Sequence, residues 1–501
     1  MNSTQELPVF RVTNTLTGKK EELRPLEPGH IKMYACGVTV YDKCHLGHAM
    51  QAILYDTFVR YMRHRGYQVT YVRNYTDVDD KIINRASELG MDPMDLSAQM
   101  IEACDRDLLS VGVQPADHQP KVSDYIDKII QYIQQLIEKG AAYATEQGDV
   151  YYSVRQKADY GKLSNQKVSQ LESGHRVASH SNKQDELDFA LWKAEEAQGA
   201  NWDSPWGKGR PGWHIECSVM ATDLLGDEFD IHGGGRDLVF PHHENEIAQS
   251  ESHSGTCYAR YWIHSGLMTI NHQKMSKSDG NFLTIEDALL RLDPEVIRYN
   301  IFQVHYTSNV DFSQSSFAQA YKKVFYYYKT LQRAQVFLSQ SSSESQELVE
   351  DFDFATYTES FYSAMDDDFN LPRAMVAFNE LFQGLNNLLD LKGMKNRRKV
   401  GSVKQGLEEA QKFSKILGIG NQEPDAFLDK LKKKYFDLSS ISLDQVQSLL
   451  EQRKSARENK DYALSDSFRE ELSELGIQAN DGTQGQSWDL NDKALEVFYS
   501  N

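Results

Sequence analysis

Three clusters in this 501-residue chain carry residue types that do chemistry. The densest is Pro211–Ser250, which contains GWHIECS and ends DIHGGGRDLVFPHHENEIAQS; it holds one cysteine, four histidines and several carboxylates. His242 and Glu246 stand four apart, so on a helix they project from one face. His243 lies about 100° further round, and its own i+4 neighbour is Ile247, so His242 is the better partner. Pro241 suits the first turn of such a helix, where a missing N–H costs nothing. With Cys217 the pair makes a candidate zinc site whose fourth ligand must come from far upstream. Taken alone, the stretch reads better as ordinary buried or solvated residues, because it lacks the paired CxxC spacing of a common structural zinc site. The second cluster is HLGH (45–48), two histidines around a glycine. At a helix N-terminus the backbone N–H groups and the dipole favour phosphate, and Gly47 leaves room for a base or ribose. Two capping or surface histidines would look the same. The third is KMSKS (274–278), two lysines three apart before Asp279-Gly280. That suits a mobile loop bringing positive charge to a polyphosphate, with a solvated lysine loop as the plain alternative.

The elements around these clusters are legible. IKMYACGVTVY (31–41) has the pattern of a buried strand running into a glycine loop, with Cys36 at its end beside Gly37. In HLGHAMQAILYDTFVRYMRHRG, Met50, Leu54, Phe58 and Tyr61 recur at helical spacing and Gly66 is a stop. YQVTYVRN is a second strand, rich in β-branched and aromatic residues. Strand, loop, helix, strand makes a βαβ unit, hence a parallel sheet that takes ligands at its strand C-termini. DEFDIHGGG (227–235) repeats strand then glycine loop, so Cys217, His232, Gly233 to Gly235 and His242 are expected on the face that carries Cys36 and HLGH. Thr76 and Asp79 have capping-box spacing at the start of a helix. Helices are expected over 93–140, ending at Gly140, then a strand in GDVYYSV (148–154) and a polar peripheral insertion over 155–185. DFALWK (188–193) is expected to return to the core as a strand, and YWIHSGLMTI (261–270) to form one buried strand leading into KMSKS.

The length implies about three domains. Apolar, aromatic and charged contents of 40%, 11% and 25% are ordinary for a soluble globular protein. A formal charge of −19 argues against indiscriminate nucleic-acid binding, while leaving room for a local basic patch. Five cysteines at 36, 44, 104, 217 and 257 show no disulfide framework, which fits a reducing cytosol. MNSTQELPVF lacks the basic-then-apolar pattern of a secretory signal, and no apolar run is long enough to span a membrane.

HLGH after the first strand, with KMSKS after the last strand of a nucleotide fold, resembles the class I aminoacyl-tRNA synthetases. YACGVTVYDKCHLGH, NYTDVDDK, PGWHIECS, DIHGGG and FPHHENEIAQS, followed by AMDDDFN (364–370) and DGTQGQSW (481–488), together resemble the cysteinyl-tRNA synthetase family within that class. The resemblance covers nearly the whole chain. It implies an α/β architecture: a Rossmann-type parallel-sheet catalytic domain over 1–315 with a peripheral insertion at about 80–210, a helical stem and anticodon-binding bundle over 316–440, and a small α+β domain over 441–501. It implies one Zn2+ held by Cys36, Cys217, His242 and Glu246, with Cys44, Cys104 and Cys257 as bystanders. It implies catalytic roles for His45, His48, Lys274 and Lys277, the last the larger of the two lysines. ATP, with Mg2+, is expected against Gly37, His45, Gly47, His48, Gly235, Asp237 and Lys277, and cysteine against Thr76, Trp213 and His232. Core packing is the plain alternative for Trp213. The implied reaction joins L-cysteine and ATP to cysteinyl-adenylate, then passes the cysteinyl group to the 3′-terminal adenosine of tRNA(Cys), the zinc reading the thiol. A cytoplasmic monomer is expected, although no sequence signal fixes the oligomeric state.

A ligase that passes the same adenylate to an amino sugar is the nearest alternative; the long helical C-terminal half is superfluous for it. An HxGH nucleotidyltransferase and a catalytically silent RNA-binding protein are more distant. In that half, DPEVIRYNIF (293–302) opens with a cap and a first-turn proline, 315–338 is a long amphipathic helix and 339–345 a linker. Helices over 353–418 are expected to break at Gly393 and Gly401, a helical hairpin fills 442–475, and a small strand unit surrounds Trp488. The basic runs 392–404 and KLKKK (430–434) offer phosphate contacts or are simply solvated. Aromatic and arginine side chains are the candidates for stacking on unpaired anticodon bases.

Overall fold

The computed structural model describes residues 7–167, 182–194, 200–274, 283–341, 347–350, 352–482 and 485–499. They divide into two compact units. The first comprises residues up to Leu267 with His305–Asn309 and Ala364–Asn370; the second comprises Met268–Val304, Val310–Ser363 and Leu371–Asn501.

In the first unit a hairpin, β1 (Phe10–Asn14) and β2 (Lys19–Leu23), precedes β3 (His30–Thr39), helix α1 (Leu46–His64) and β4 (Gln68–Thr76). With β9 (Phe229–Gly235) and β10 (Ala259–Ser265) these strands form a parallel sheet in the order β10-β9-β3-β4. The βαβ expectation therefore holds, and Gly66 ends α1 at φ +94°. Two details decide the chemistry. The β3–β4 register shifts between Ala35 and Val38, so Cys36 and Gly37 fall out of the ladder in a bulge at the strand's C-terminal end. The Gly37 N–H turns instead to Asn74 Oδ1, 2.9 Å away. A Cβ at Gly37 would lie 1.6 Å from the Asn74 carbonyl oxygen, so only glycine fits. Helix α1 is buried on nearly every face rather than along one stripe. Part of the reason is the AMDDDFN segment, which belongs to this unit: Phe369 stacks on Phe58 at 4.2 Å, and Asp368 accepts hydrogen bonds from Thr13 N (2.7 Å) and the Tyr306 hydroxyl (2.7 Å).

The segment between β4 and β9 forms helices α2 (Asp80–Leu89), α3 (Pro93–Ser110) and α4 (Ile126–Glu138), then an antiparallel sheet β5-β6-β7-β8 (Ala142–Ala144, Val150–Tyr152, Phe189–Ala194, Gly209–Pro211). DFALWK does form a strand, β7, but in this second sheet, not in the central one. Thr76 does not cap α2. It ends β4, and Asp79 is the N-cap, accepting from Lys81 N at 2.9 Å. YWIHSGLMTI is two strands, β10 and β11 (Met268–Ile270), broken around Gly266. A Cβ at Gly266 would strike the Ser308 carbonyl oxygen. Helix α5 (Trp213–Leu225) carries Cys217 and helix α6 (Glu244–Ser254) carries Glu246, while His242 lies in the turn before α6. Pro241 lies outside the α-helix, in a π-helical turn over Val239–His243 that is interrupted at Phe240.

The second unit is largely helical. Strand β12 (Gln273–Lys274) and β13 (Val310–Phe312) flank β11. Helices α7 (Ile285–Arg291) and α8 (Pro294–Ile301) lead to the long α9 (Gln314–Ser339), as its periodicity demands. Then come α10 (Ala355–Asp366), whose last residues fall in the first unit, α11 (Leu371–Asp390), α12 (Asn396–Leu417) and α13 (Pro424–Leu438). Gly393 breaks the chain at φ +82°, whereas Gly401 lies buried inside α12. The basic runs are partly consumed internally. Lys399 Nζ donates to the Leu389 and Leu391 carbonyls at the end of α11, Lys430 pairs with Asp293 at 2.8 Å, and Lys434 donates to the Leu289 and Leu292 carbonyls. Lys392, Lys395, Arg397 and Arg398 stay exposed. The expected hairpin is α14 (Leu443–Glu458) with α15 (Tyr462–Glu474), and β14 (Ile477–Gly482) pairs antiparallel with β15 (Gly485–Leu490).

Candidate active site and metal centre

The bulge in β3 brings Cys36 to helices α5 and α6. Its Sγ lies 3.8 Å from Cys217 Sγ, 3.6 Å from Glu246 Oε1 and 3.3 Å from His243 Nε2. Two overlapping quartets of buried groups result: Cys36, Cys217, His242 and Glu246, and Cys36, His232, His243 and Glu246, each with its ligand atoms within 4.8 Å of one another. Their edges separate them. Tetrahedral zinc with bonds of about 2.3 Å to sulfur and about 2.1 Å to nitrogen or oxygen needs edges of about 3.8 Å between two sulfurs, about 3.6 Å for sulfur to oxygen or nitrogen, and about 3.4 Å for nitrogen to oxygen. The first quartet offers 3.8 Å, 3.6 Å and, for His242 Nε2 to Glu246 Oε1, 3.1 Å. The second holds His243 Nε2 3.3 Å from Cys36 Sγ and 3.9 Å from Glu246 Oε1, and His232 Nε2 only 2.8 Å from Glu246 Oε2, the edge furthest below the tetrahedral value.

The two oxygens of Glu246 divide the work. Oε2 takes His232 and the Tyr258 hydroxyl (3.2 Å), while Oε1 faces Cys36 and His242. His242 Nδ1 is 3.0 Å from His214 Nδ1, and His243 Nδ1 continues to His264 Nε2 (2.7 Å) and on to Thr15. Such contacts fix ring orientation behind a metal ligand. The protons are distributed accordingly. Burial pulls His242 down, but Glu246 and Cys217 outweigh it and lift the ring to about 10. Burial would raise the Glu246 carboxyl, yet His232 and His242 hold it well below its ordinary range. Burial pushes the Cys36 thiol well up, while the hydrogen bond from Cys36 draws Cys217 down to about 6. Four buried groups sharing protons at this spacing suit a divalent cation that displaces those protons.

A pocket of about 280 Å3 opens beside this cluster. Cys36, Gly37, His45, His48, Thr76, Trp213, Cys217, Asp237 and His242 line it, so nine of the residues named from sequence meet there. Trp213 is 37% exposed and stacks on His242 at 4.2 Å, which excludes plain core packing. His45 caps α1 with Nδ1, accepting from Gly47 N at 3.1 Å, and stacks on His48 at 3.6 Å. His48 Nδ1 accepts from His45 N at 3.4 Å, and burial, with His45 and Lys81 nearby, keeps that ring neutral well below its usual range. Each ring therefore has Nε2–H as its donor toward the pocket. Thr76 Oγ1 bonds Glu216, whose carboxyl is fully buried. His232 sits behind Glu246 rather than in the lining, and Gly47 and Gly235 are not lining residues either. Lys274 ends β12, and Lys277 falls outside the described residues.

Several lining or supporting residues had weak sequence signals. Asn74 holds Gly37, Gln51 Nε2 donates to the Cys36 carbonyl at 3.1 Å, and Glu244, in the HHENE run, anchors Gly161, Leu163 and Ser164 of the insertion. Lys81 also lines the pocket. Its signal was available: a lysine in the first turn of a helix opposes the dipole.

The chain is similar to known proteins over most of its length. A model of the tRNA synthetases class I (C) catalytic domain matches residues 22–322. The cysteine–tRNA ligase of Syntrophotalea carbinolica is 44% identical over 480 residues, 96% of this chain and 99% of that one. That of Geobacter metallireducens is 44% identical over 484 residues, again 96% and 99%. The chain belongs to the cysteine–tRNA ligase family. It is accordingly of the aminoacyl-tRNA ligase class, and its C-terminal half carries the family's further modules: a DALR domain matches 360–422 and a Cysteinyl-tRNA ligase anticodon binding domain matches 444–488. The fold is also that of Mycobacterium tuberculosis methionyl-tRNA synthetase, solved with methionyl-adenylate, at a TM-score of 0.60 and 14% identity over 82% of this chain and 96% of that one. Among the described residues no helix is long and apolar enough to cross a membrane.

Proposed function

We propose that the chain activates L-cysteine with ATP and Mg2+ to cysteinyl-adenylate in this pocket, then transfers cysteine to the terminal adenosine of tRNA(Cys). One observation carries the reading: Cys36, Cys217 and His242 border the same pocket as His45 and His48, so a thiol-directed metal set and a phosphate-directed histidine pair share one space. We assign Cys36, Cys217, His242 and Glu246 to one zinc ion, on the edge lengths and on the engagement of Glu246 Oε2 by His232 and Tyr258. Bound there, zinc would favour the thiolate of an incoming cysteine, while a serine hydroxyl, far less acidic, gains little. That selectivity exceeds what one methylene contact gives, roughly 1–3 kcal/mol, so an editing domain is unnecessary.

The protein's own groups do the rest by position and charge. The substrate carboxylate is ionised at neutral pH, well above a pKa of roughly 3.5, and needs no general base. Thr76 and Trp213 flank the amino acid, with His232 acting through Glu246. His45 and His48 donate Nε2–H to phosphate oxygens, Gly37, Gly47, Gly235 and Asp237 shape the nucleotide site, and Lys274 and Lys277 supply charge to the polyphosphate. Residues 1–315 are assigned to catalysis, 316–440 to the stem and anticodon bundle, and 441–501 to the small terminal domain, acting on tRNA as a cytoplasmic monomer.

The test is amino-acid-dependent ATP–pyrophosphate exchange across all twenty amino acids. Cysteine alone should respond. A serine response of similar size would remove the selectivity assignment, and a transfer assay with tRNA(Cys) that yields no cysteinyl-tRNA would remove the second step.

A further inference from the structure

We propose that Lys81 is a substrate-binding residue of this pocket, its ammonium taking the anion at the reacting end of the substrates, either the amino-acid carboxylate or the ATP α-phosphate. The inference rests on the activation reaction proposed above and adds to it the residue that neutralises the reacting anions.

Among the described residues lining the pocket, Lys81 is the only lysine or arginine, beside Tyr41, His45, His48 and Thr76. It is the second residue of α2, a place where a cation opposes the helix dipole. Its acidic neighbours are occupied. Asp79 caps the helix through the Lys81 backbone N–H, and the Asp80 carboxylate holds Lys193 Nζ at 2.8 Å together with Arg210 Nη2. The Lys81 ammonium instead stands 5.6 Å from the centre of the Tyr41 ring, with no ion pair among the described residues. A lysine exposed on the wall of a pocket, kept from two adjacent carboxylates by their other bonds, is poised for an anion that arrives. His48, beside it, cannot serve in its place. His48 is held neutral by burial, with His45 and Lys81 contributing, so it donates a hydrogen bond without charge.

The chemistry calls for such a cation. A carboxylate oxygen attacks the α-phosphorus, the bond to the bridging oxygen of pyrophosphate breaks, and pyrophosphate leaves with the electron pair. Two anions must approach within bonding distance, and like charges repel. An ammonium at the junction offsets that repulsion and follows the charge into the transition state.

The experiment compares Lys81→Gln and Lys81→Arg with the parent enzyme in cysteine-dependent pyrophosphate exchange, with zinc content and melting temperature as controls. Exchange by the parent tests the activation reading itself, and the variants then test Lys81. Lys81→Gln should lose at least tenfold in kcat/KM, Lys81→Arg should recover most of it, and neither should change zinc content or melting. Cysteamine, which has the thiol but no carboxylate, serves as a competitive inhibitor. If Lys81→Gln raises the KM for cysteine and leaves cysteamine inhibition unchanged, the anion is the carboxylate. If it raises the KM for ATP or lowers kcat while cysteine binding is intact, the anion is the α-phosphate. Parameters within about twofold of the parent, or equal weakening of cysteine and cysteamine, would overturn the proposal.

Discussion

The adjacent residues His242 and His243 give the sharpest test of the metal site. Both are fully buried and both reach the cluster, yet only one belongs to each quartet. The edge lengths assign His242 to the ion and leave His243 as the group that hydrogen-bonds Cys36 Sγ and His264. Zinc bound by four protein ligands is worth roughly 10–16 kcal/mol, so one ligand carries about 3 kcal/mol, or about a hundredfold in affinity. His242→Ala should therefore lose at least that much, and purify with well under one zinc per chain. His243→Ala removes a packed ring and leaves His264 Nε2 without its partner, a cost of about 1–3 kcal/mol to folding. It should keep its zinc, with affinity within about tenfold, and melt earlier. Elemental analysis after dialysis, chelator competition and thermal melts measure the three quantities. If His243→Ala loses the metal while His242→Ala keeps it, the tetrahedral-edge reasoning fails and the second quartet is the binding site.

Gly37→Ala should be destabilised by about 3 kcal/mol or more, since a Cβ 1.6 Å from the Asn74 carbonyl forces β3 and β4 apart; a melting temperature equal to the parent's would contradict the bulge geometry. Lys277→Ala should slow adenylate formation at least tenfold while sparing cysteine binding, and an unchanged exchange rate would withdraw its role. Buried His48 and His264 are both held below the ordinary 6.5, His264 to about 3, so the unfolded chain takes up protons that the folded protein refuses. Their stabilisation is whole above about pH 6.5 and is lost as pH falls, by up to about 1.4 kcal/mol per unit for each ring. Urea midpoints measured from pH 7.5 to 4.5 should fall accordingly, and a flat profile would show that these rings are not neutral in the fold.

The parallel sheet, α1 and the metal-type residues were legible because each rests on a local signal: a strand ending in glycine, a helical period, an i,i+4 pair. Cys36 was placed by the end of its strand, although 210 residues separate it from Glu246. What was illegible depended on contacts between distant segments. Nothing near DFALWK says that its partners are β6 and β8 rather than the central strands. Thr76 looked like a cap because spacing cannot reveal that Glu216 claims its hydroxyl. His232 looked like a pocket residue because its glycine loop marks the ligand end of the sheet, while the ring itself turns back to Glu246. The lysines of KLKKK looked available because charge runs usually are, yet two of them bind Asp293 and the carbonyls at the end of α7.

The place of AMDDDFN has a consequence for how the protein is made. The unit that holds the pocket is completed by residues 364–370, far along the chain from its sheet. Until they emerge from the ribosome, Phe58 lacks its stacking partner, and Thr13 N–H and the Tyr306 hydroxyl lack their acceptor. These contacts on α1 and β1 are therefore made only after much of the helical half has been synthesised. A fragment cut after the matched catalytic segment at residue 322 would lack all three contacts.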